Sequence, residues 1–314
     1  MDLAPNRYDL IGDIHGHADE LVKLLHHLGY KDSSQGYCHE SRTVIFLGDF
    51  IDRGIELVQH KKLLKIVMTM VQNKNALAVM GNHEFNALAY HTEHKGQFLR
   101  PHTEENKKQH QAFLNEFSEN SEEKWAVLDF FYSLPLWLDL GDLRVIHACW
   151  DEAHIRTMKR ICPKNRLDRA TLIDATNKGT EAFEAIEVLL KGFEYELPEG
   201  IYFKDKGGKR RTAARIQWWK KSPLALSEVI MPDGLNIGDA GKLPVPKETP
   251  VYGSGEPPCF IGHYWLNGEP EPLATNVACV DYSVAYRGKL VAYRWDGEQL
   301  LDRSKFSYIQ AADT

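Results

Sequence analysis

The sequence lacks any long hydrophobic run. No stretch of about 18 or more apolar residues occurs, so no transmembrane helix is predicted. The first residues, MDLAPNRYDLIGD, also lack the basic start and the apolar stretch of a secretory signal peptide. We therefore expect a cytoplasmic protein that has no membrane partner.

Cysteine is scarce and unpatterned. Five cysteines are present, an odd number, and they form no Cys-x-x-Cys pair. This usage is typical of reduced thiols in a cytosol. Cys149 lies two residues after His147, which raises the question of a catalytic thiol, but a small buried residue is the favoured interpretation.

An excess of basic charge is also missing. The formal net charge is −6, whereas proteins that bind nucleic acid usually carry a basic footprint. We therefore do not expect a nucleic-acid partner.

The remaining composition is that of an ordinary soluble protein. The chain has 314 residues, of which 43% are hydrophobic and 26% charged. We predict a single domain over residues 1–314, because the candidate functional residues run from Asp13 to His263 and must meet at one place. Two polar segments, at about 91–123 and 151–257, are interpreted as insertions into this domain.

Three short apolar segments in the first 80 residues each end at a glycine. They are Tyr8–Ile11, 43–47 and 76–80, and helical patterns over 18–28 and 56–71 lie between them. This alternation predicts an α/β protein with right-handed crossovers and a largely parallel sheet. In such sheets the functional loops gather at the carboxyl ends of the strands.

Polar side chains suited to metal binding follow these segments and two later ones. Asp13 and His15 are spaced by two, so in an extended segment they face the same way and converge on one ion. Asp49 has two oxygens and can bridge that ion to a second one. The full set of candidate ligands is Asp13, His15, Asp49, Asn82, His147 and His263.

The chemistry of this set favours transition metals. Mixed oxygen and nitrogen donors suit Mn, Fe, Zn or Co better than Ca or Mg. Two such ions side by side lower the pKa of a bridging water and bind phosphate oxygens. We therefore predict two divalent or trivalent metal ions as cofactors, with Mn, Fe or Zn favoured.

Three further residues fit the same chemistry. His83 adjoins Asn82, so its ring can lie near the metals and donate a proton to a leaving oxygen. Asp52 can accept a hydrogen bond from that ring and fix its orientation. Arg53 offers a planar fork that suits a phosphate group.

The motifs GDIHG, GDFIDRG and GNHE resemble the three signature blocks of calcineurin-like metallophosphoesterases. The Asp-Arg-Gly ending of the second block resembles the phosphoprotein phosphatase branch more narrowly, which includes serine/threonine phosphatases and symmetrical dinucleoside tetraphosphatases. The later segments VIHACW, IGHYW and ACVDYSVAYRGKLVAYRWDGE are similar to further blocks of this family.

The resemblance implies a fold and a set of roles. The fold would be a two-sheet mixed β-sandwich flanked by helices, with the dimetal site at the strand ends. Asp13 and His15 would bind the first metal, and Asp49 would bridge. Asn82, His147 and His263 would bind the second metal, His83 would be the general acid with Asp52 as its partner, and Arg53 would bind phosphate.

The resemblance also implies a second phosphate-binding arginine before the last histidine. Arg215 is the preferred candidate for this role, and Arg211 lies close to it in the sequence. Arg156 and Arg169 are weaker candidates.

The segment at 91–123 carries four histidines, and one interpretation of them is another metal site. The segment is polar and strongly charged, and the interpretation we favour is a helical excursion on the solvated surface. The four residues are His91, His94, His102 and His110.

The most favoured function is that of a metal-dependent phosphatase. It would hydrolyse phosphomonoesters, on protein serine, threonine or tyrosine or on a small molecule, by in-line attack of a dimetal-bridging hydroxide. The alternative is a symmetrical dinucleoside polyphosphate or other nucleotide phosphohydrolase, and the least favoured is a catalytically silent regulatory protein. A nucleotide substrate needs a wall on which a base can stack, and the candidates for it are Trp218, Trp219, Tyr264 and Trp265. For each of them taken alone, packing in the core is the favoured interpretation.

Overall fold

The computed structural model describes residues 7–53, 58–204, 208, 210–220 and 225–311. Strands and helices alternate over the first 91 residues, as the apolar pattern predicts. The strands are β1 (Tyr8–Ile11), β2 (Thr43–Phe46), β3 (Ala76–Ala78), β4 (Glu93–His94), β5 (Gln97–Phe98), β6 (Trp137–Asp139), β7 (Arg144–Ile146), β8 (Glu194–Glu196), β9 (Phe203–Lys204), β10 (Arg210–Arg211), β11 (Ala213–Ile216), β12 (Ile230–Met231), β13 (Cys259–Ile261), β14 (Val277–Cys279), β15 (Asp281–Tyr282), β16 (Lys289–Trp295) and β17 (Phe306–Gln310). The α-helices are α1 (Ala18–His27), α2 (His60–Gln72), α3 (Asn82–His91), α4 (Glu104–Glu116), α5 (Glu122–Ser133), α6 (Glu152–Ile161), α7 (Arg169–Ala175), α8 (Glu181–Lys191) and α9 (Leu226–Val229).

Two mixed sheets form the body of the protein. In the first sheet the order is β15-β16-β1-β2-β3, with β17 also paired to β16, and β1, β2 and β3 run parallel as predicted. In the second sheet the order is β14-β13-β7-β6, and β13 is parallel to both of its neighbours. The predicted two-sheet mixed sandwich flanked by helices is therefore confirmed.

Alternate residues of each strand face different layers. In β2, Val44 and Phe46 belong to the core beneath the helices, whereas Ile45 packs with Val145 and Phe260 of the second sheet. This is the two-residue period of a strand buried on both faces. Each such fully buried aliphatic or aromatic side chain contributes about 1.5–3 kcal/mol to stability.

Helices cover the outer faces of this sandwich. Leu21, Leu24 and Leu25 of α1 are fully buried, because their spacing places them on one face of the helix. The helix predicted over 56–71 is present from His60 onwards, and residues 56–57 lie outside the described residues. None of the described helices is both long enough and apolar enough to cross a lipid bilayer.

The segment that follows α8 builds a small unit with its own core. Strands β12, β11 and β8 form a three-stranded sheet, and Leu197, Ile216 and Ile230 are among the side chains buried behind it. The sequence predicts only an insertion for this part of the chain. The stretch 213–216 alternates small, charged and apolar residues, so its strand pattern is weak.

Candidate metal centre

Five loops meet at one edge of the sandwich. They follow the carboxyl ends of β1, β2, β3, β7 and β13, and they carry the six candidate metal ligands named from the sequence. All six side chains are buried, with at most 8% of their surface exposed. The strand order places these loops together because β1, β2 and β3 are parallel, as are β7 and β13.

The backbone of these loops is unusual. His15, Asp49, Asp52, Arg53 and His263 all have positive φ angles, between 45° and 69°. This left-handed region costs a non-glycine residue of order 1 kcal/mol, and such strain collects at functional sites. The predicted functional residues are therefore held in conformations that the surrounding structure must enforce.

Glu84 enforces part of this geometry. Its buried carboxylate accepts hydrogen bonds from the backbone N–H groups of Asp49 and Phe50, both at 2.8 Å, and from that of Gly81 at 3.0 Å. Burial, reinforced by the nearby charge of Asp49, raises the pKa of Glu84 to about 8. Glu84 is absent from the residues predicted from the sequence, although its place three residues after a helix-capping glycine is a signal for such a role.

The first cluster of possible ligand atoms comprises His15, Asp49 and His83. His15 Nε2 lies 3.7 Å from Asp49 Oδ2, and His83 Nε2 lies 3.9 Å from the same oxygen. His15 Nδ1 donates to the carbonyl oxygen of Ile51 at 2.7 Å, so its Nε2 lone pair faces the cluster. Burial lowers the pKa of His15 to about 3, which keeps the ring neutral and able to bind a metal.

The second cluster comprises Asp49, His147 and His263. His147 Nδ1 donates to the carbonyl oxygen of Leu47 at 2.7 Å, while its Nε2 lies 3.1 Å from Asn82 Oδ1 and 3.4 Å from Asp49 Oδ1. A backbone carbonyl that orients a histidine in this way is the usual support of a metal ligand. His147 Nε2, Asn82 Oδ1 and Asp49 Oδ1 thus lie close together, as ligand atoms would around a cation.

His263 gives the clearest sign that a metal ion fits. Both of its ring nitrogens are buried, and neither finds a hydrogen-bond partner among the described residues. Burial lowers the pKa of the ring well below its usual value, and the charge of Arg215 lowers it further. A neutral, unsatisfied imidazole beside a carboxylate is costly unless a cation completes it.

Asp13 lies beside the second cluster and belongs to neither of the two. Its carboxylate accepts the backbone N–H of His263 at 3.1 Å, and burial raises its pKa well above the usual value. The structure therefore brings Asp13 to the same edge as the other five candidates. Its role as a ligand stays a prediction.

Gly262 lets Asp13 approach. A methyl group at this position would lie 2.1 Å from Asp13 Oδ1. We expect Gly262→Ala to displace the carboxylate and to weaken metal binding by about 10- to 100-fold, the usual effect of misaligned ligands. Chelator competition with Mn²⁺ measures this. Gly255→Ala is the matched control, since a Cβ there meets no described atom within 4 Å, and equal affinity in both variants would contradict the expectation.

Asp52 joins two histidines. Its Oδ2 lies 2.7 Å from His83 Nδ1, as the sequence predicts, and its Oδ1 lies 2.8 Å from His110 Nδ1. His110 is only 4% exposed, so the interpretation of this residue as solvated surface is wrong. Helix α4 buries a narrow face that includes His110 and Phe113, and the charged residues around that face hide it in the sequence.

Arg53 is held by aromatic side chains. Its guanidinium carbon lies 4.0 Å from the centre of the Trp265 ring, and its Nη1 donates to Tyr286 Oη at 2.9 Å. Its charge also lowers the pKa of His15, which places the guanidinium near the first cluster. These contacts fix the fork at the rim of the site.

The other arginine candidates differ in exposure and in the contacts that they make. Arg215 Nε donates to the carbonyl oxygen of Lys191 at 2.9 Å, and its charge reaches His263. Arg156 and Arg211 are exposed, and Arg169 donates to the carbonyl oxygen of Glu93. Arg215 therefore remains the preferred candidate, because its charge acts on His263.

Three of the proposed stacking residues are buried. Trp218, Trp219 and Tyr264 are at most 5% exposed and pack against one another in the core, so they cannot receive a base. Trp265 is partly exposed. Cys149 is fully buried, and burial raises the pKa of its thiol well above the usual value, so it is not a nucleophile.

Comparison with known proteins agrees with this geometry. The family model for the calcineurin-like phosphoesterase matches residues 7–221. A bis(5'-nucleosyl)-tetraphosphatase PrpE [asymmetrical] of Oceanobacillus iheyensis is 32% identical over 144 residues, which cover 45% of this chain and 55% of that protein. The same-named protein of Halalkalibacterium halodurans is 40% identical over 78 residues, which cover 24% of this chain and 30% of that protein. The chain thus spans about half of the first relative and under a third of the second.

Two solved structures share the fold over nearly the whole chain. A putative diadenosine tetraphosphatase matches with a TM-score of 0.51 and 15% identity, covering 100% of this chain and 96% of that one. A serine/threonine phosphatase from Saccharomyces cerevisiae with similarity to human phosphatase PP5 matches with a TM-score of 0.52 and 17% identity, covering 99% and 82%. At these identities the likeness concerns the fold alone.

Proposed function

Because the chain belongs to the calcineurin-like phosphoesterase family, we propose that this hydrolase is a metal-dependent phosphatase acting on phosphomonoesters. The observation that carries the proposal is the pair of clusters that share Asp49. One of them contains His263, whose buried ring nitrogens have no hydrogen-bond partner among the described residues. Two metal ions bound there would supply an activated water nucleophile and neutralise charge on the phosphoryl oxygens.

The chain's own residues would hold these ions and position the substrate. Asp13 and His15 would hold the first ion, Asp49 would contribute to both sites, and Asn82 with His147 and His263 would hold the second. The mixed donor set supports Mn, Fe or Zn. Arg53 binds the phosphate from the rim of the site, where Trp265 and Tyr286 keep its guanidinium in place.

His83 would act as the general acid. Its Nδ1–H donates to the ionised Asp52, so its Nε2 faces the reacting centre beside Asp49 and can give a proton to the leaving oxygen. Asp52 holds the ring in this orientation. Arg215 would bind the same phosphate from the side of His263, and its bond to the Lys191 carbonyl would orient it.

The experiment that tests this proposal is a metal-reconstitution assay. Chelator-stripped protein receives Mn²⁺, Fe²⁺, Zn²⁺, Co²⁺ or Mg²⁺ separately, and is assayed on p-nitrophenyl phosphate, its bis ester and a phosphopeptide. We expect metal-restored hydrolysis of the monoester and the phosphopeptide. If the protein binds metal stoichiometrically but hydrolyses neither these substrates nor diadenosine tetraphosphate, the proposal is overturned. That result would favour a catalytically silent metal-binding protein.

A second candidate function is the hydrolysis of dinucleoside polyphosphates. The partly exposed Trp265 and the exposed Tyr286 form an aromatic rim beside Arg53, with ring centres 5.4 Å apart. The names of the curated relatives also favour this candidate, although the region aligned with each covers little more than half of that relative at most. Diadenosine tetraphosphate, added to the same assay, separates the two candidates.

Replacing Trp265 tests whether the rim receives a base. If it does, Trp265→Ala should raise KM for diadenosine tetraphosphate by about 5- to 100-fold, since stacking one base contributes about 1–3 kcal/mol. The KM for a phosphoserine peptide should change much less, and Trp265→Phe, which keeps an aromatic face for Arg53, should lose less than the alanine variant. Equal losses on both substrates would mean that Trp265 acts only by holding Arg53.

A further inference from the structure

The carboxylate of Asp52 serves two histidines at once. One oxygen accepts from His83, and the other accepts from His110, which lies 58 residues further along the chain on α4. All three side chains are buried. A carboxylate bound through both oxygens cannot rotate about its Cβ–Cγ bond without breaking one of the two contacts.

A fourth group extends this arrangement. His110 Nε2 lies 3.1 Å from His91 Nε2, and His91 ends the same helix α3 that begins with Asn82 and His83. Burial, together with the neighbouring His110, lowers the pKa of His91 to about 3, so His91 is neutral. His83, Asp52, His110 and His91 thus form one hydrogen-bonded row, which we term the acid row.

Packing fixes the position of His110 in this row. Its ring stacks on Phe113 with centres 4.7 Å apart and an angle of 17° between the planes. Helix α4 is itself tied to the start of α2, because Glu116 accepts the backbone N–H groups of His60 at 2.7 Å and Lys61 at 3.0 Å. The inserted segment is therefore anchored to the sandwich at the place where it reaches Asp52.

We propose that His110 is a positioning residue, which acts through Asp52 to orient the proton donor His83. The inference rests on the proposed function, in which His83 protonates the leaving oxygen. The N–H of His110 occupies Asp52 Oδ1 and leaves Oδ2 directed at His83. It also favours the ionised carboxylate, since burial alone would raise the pKa of Asp52, whereas His110 and His83 lower it well below the usual value.

This role predicts a dependence on the leaving group. The p-nitrophenolate ion is a good leaving group and needs little protonation. The phenolate of phenyl phosphate, or an alkoxide, needs a proton from the enzyme in the transition state. Loss of His110 should therefore slow phenyl phosphate far more than p-nitrophenyl phosphate. A general loss of folding or of metal would slow both substrates alike.

Two variants separate the hydrogen bond from the ring. His110→Phe keeps the stack on Phe113 and removes the donor, and His110→Asn keeps an N–H group close to the position of Nδ1. We expect His110→Phe to lower kcat on phenyl phosphate by about 10- to 100-fold, the range for partners that orient a catalytic group, with KM and metal content unchanged. His110→Asn should recover a large part of that loss.

His102→Phe is the matched control in the same segment. His102 also stacks on aromatic rings, those of Tyr90 and Phe98, and its Nε2 donates to a backbone carbonyl, but it does not contact Asp52. Its replacement should leave the ratio of the two substrate rates unchanged. The inference is overturned if His110→Phe slows both substrates equally, or if His110→Asn is as impaired as His110→Phe.

A measurement without turnover tests the same contacts. In the NMR spectrum of protein with ¹⁵N-labelled histidine, the two ring N–H protons bound to Asp52 should resonate far downfield. His110→Phe should remove one of these signals and shift the other, whereas His102→Phe should leave both in place. An inactive wild-type enzyme would overturn the proposed function. If the wild type is active but His110→Phe leaves both downfield signals unchanged, only the role of His110 is overturned.

Discussion

Replacing Asp49 with asparagine should abolish metal binding and hydrolysis together. Asp49 contributes to both clusters, so its loss weakens two sites at once. The neutral amide offers one weak oxygen donor in place of a carboxylate with an oxygen for each cluster. We expect kcat/KM on phosphomonoesters to fall by more than about 100-fold, beyond the range seen when only a partner of a ligand is changed.

The fold should survive this change. Asp49 Oδ1 accepts the backbone N–H of His83 at 3.0 Å, and the asparagine oxygen can accept the same bond. Metal content by mass spectrometry and a thermal melt of the metal-free protein measure the two effects separately. Asp142→Asn makes the same substitution in an exposed turn and should keep both metal and activity. An Asp49→Asn protein that retains two metals would remove the bridging role.

The sandwich could be predicted because its signals are local. Strand β1 has the predicted bounds, and three apolar segments that end in glycine indicate three parallel strands whose loops meet at one edge. The position of Asp13, Asp49 and Asn82 at this edge follows from that geometry alone. The second sheet did not follow from the pattern, since β13 and β14 have three residues each, and it was predicted only through the family resemblance.

The acid row could not be predicted from the sequence. Helix α4 has 13 residues, of which only His110, Ala112 and Phe113 are buried, so its composition reads as solvated. The bond from His110 to Asp52 joins residues 58 positions apart, and no local pattern encodes such a contact. Trp218, Trp219 and Tyr264 are core residues and not a stacking wall. The sequence could not decide between these two roles, because an aromatic residue has the same signature in a core as in a binding site.

The positive φ angles of the site residues were equally invisible in the sequence. A non-glycine residue in the left-handed region gives no compositional signal, and the structure places five predicted site residues there. The backbone bonds of Glu84 to the Asp49 loop show how the strain is held. The sequence thus predicts which residues meet, and the structure shows the contacts that orient their side chains.

Replacing His83 with asparagine should remove the proposed proton donor while metal binding is retained. The backbone N–H of residue 83 still donates to Asp49, so the loop and the ligands keep their places. If His83 is the proton donor, this variant leaves the departing oxygen without one. We expect kcat on phenyl phosphate or a phosphoserine peptide to fall by about 10²- to 10⁴-fold, the usual contribution of general acid catalysis, and kcat on p-nitrophenyl phosphate to fall much less.

Metal content decides between two roles for His83, because its Nε2 also lies within reach of the first cluster. A proton donor can be removed with both metals retained, whereas removal of a ligand should cost the protein one ion. His154→Asn is a suitable control, since it removes an imidazole that pairs with Asp151 on α6, outside both clusters. If His83→Asn loses a metal and slows every substrate equally, His83 is a ligand, and the proton must come from another group.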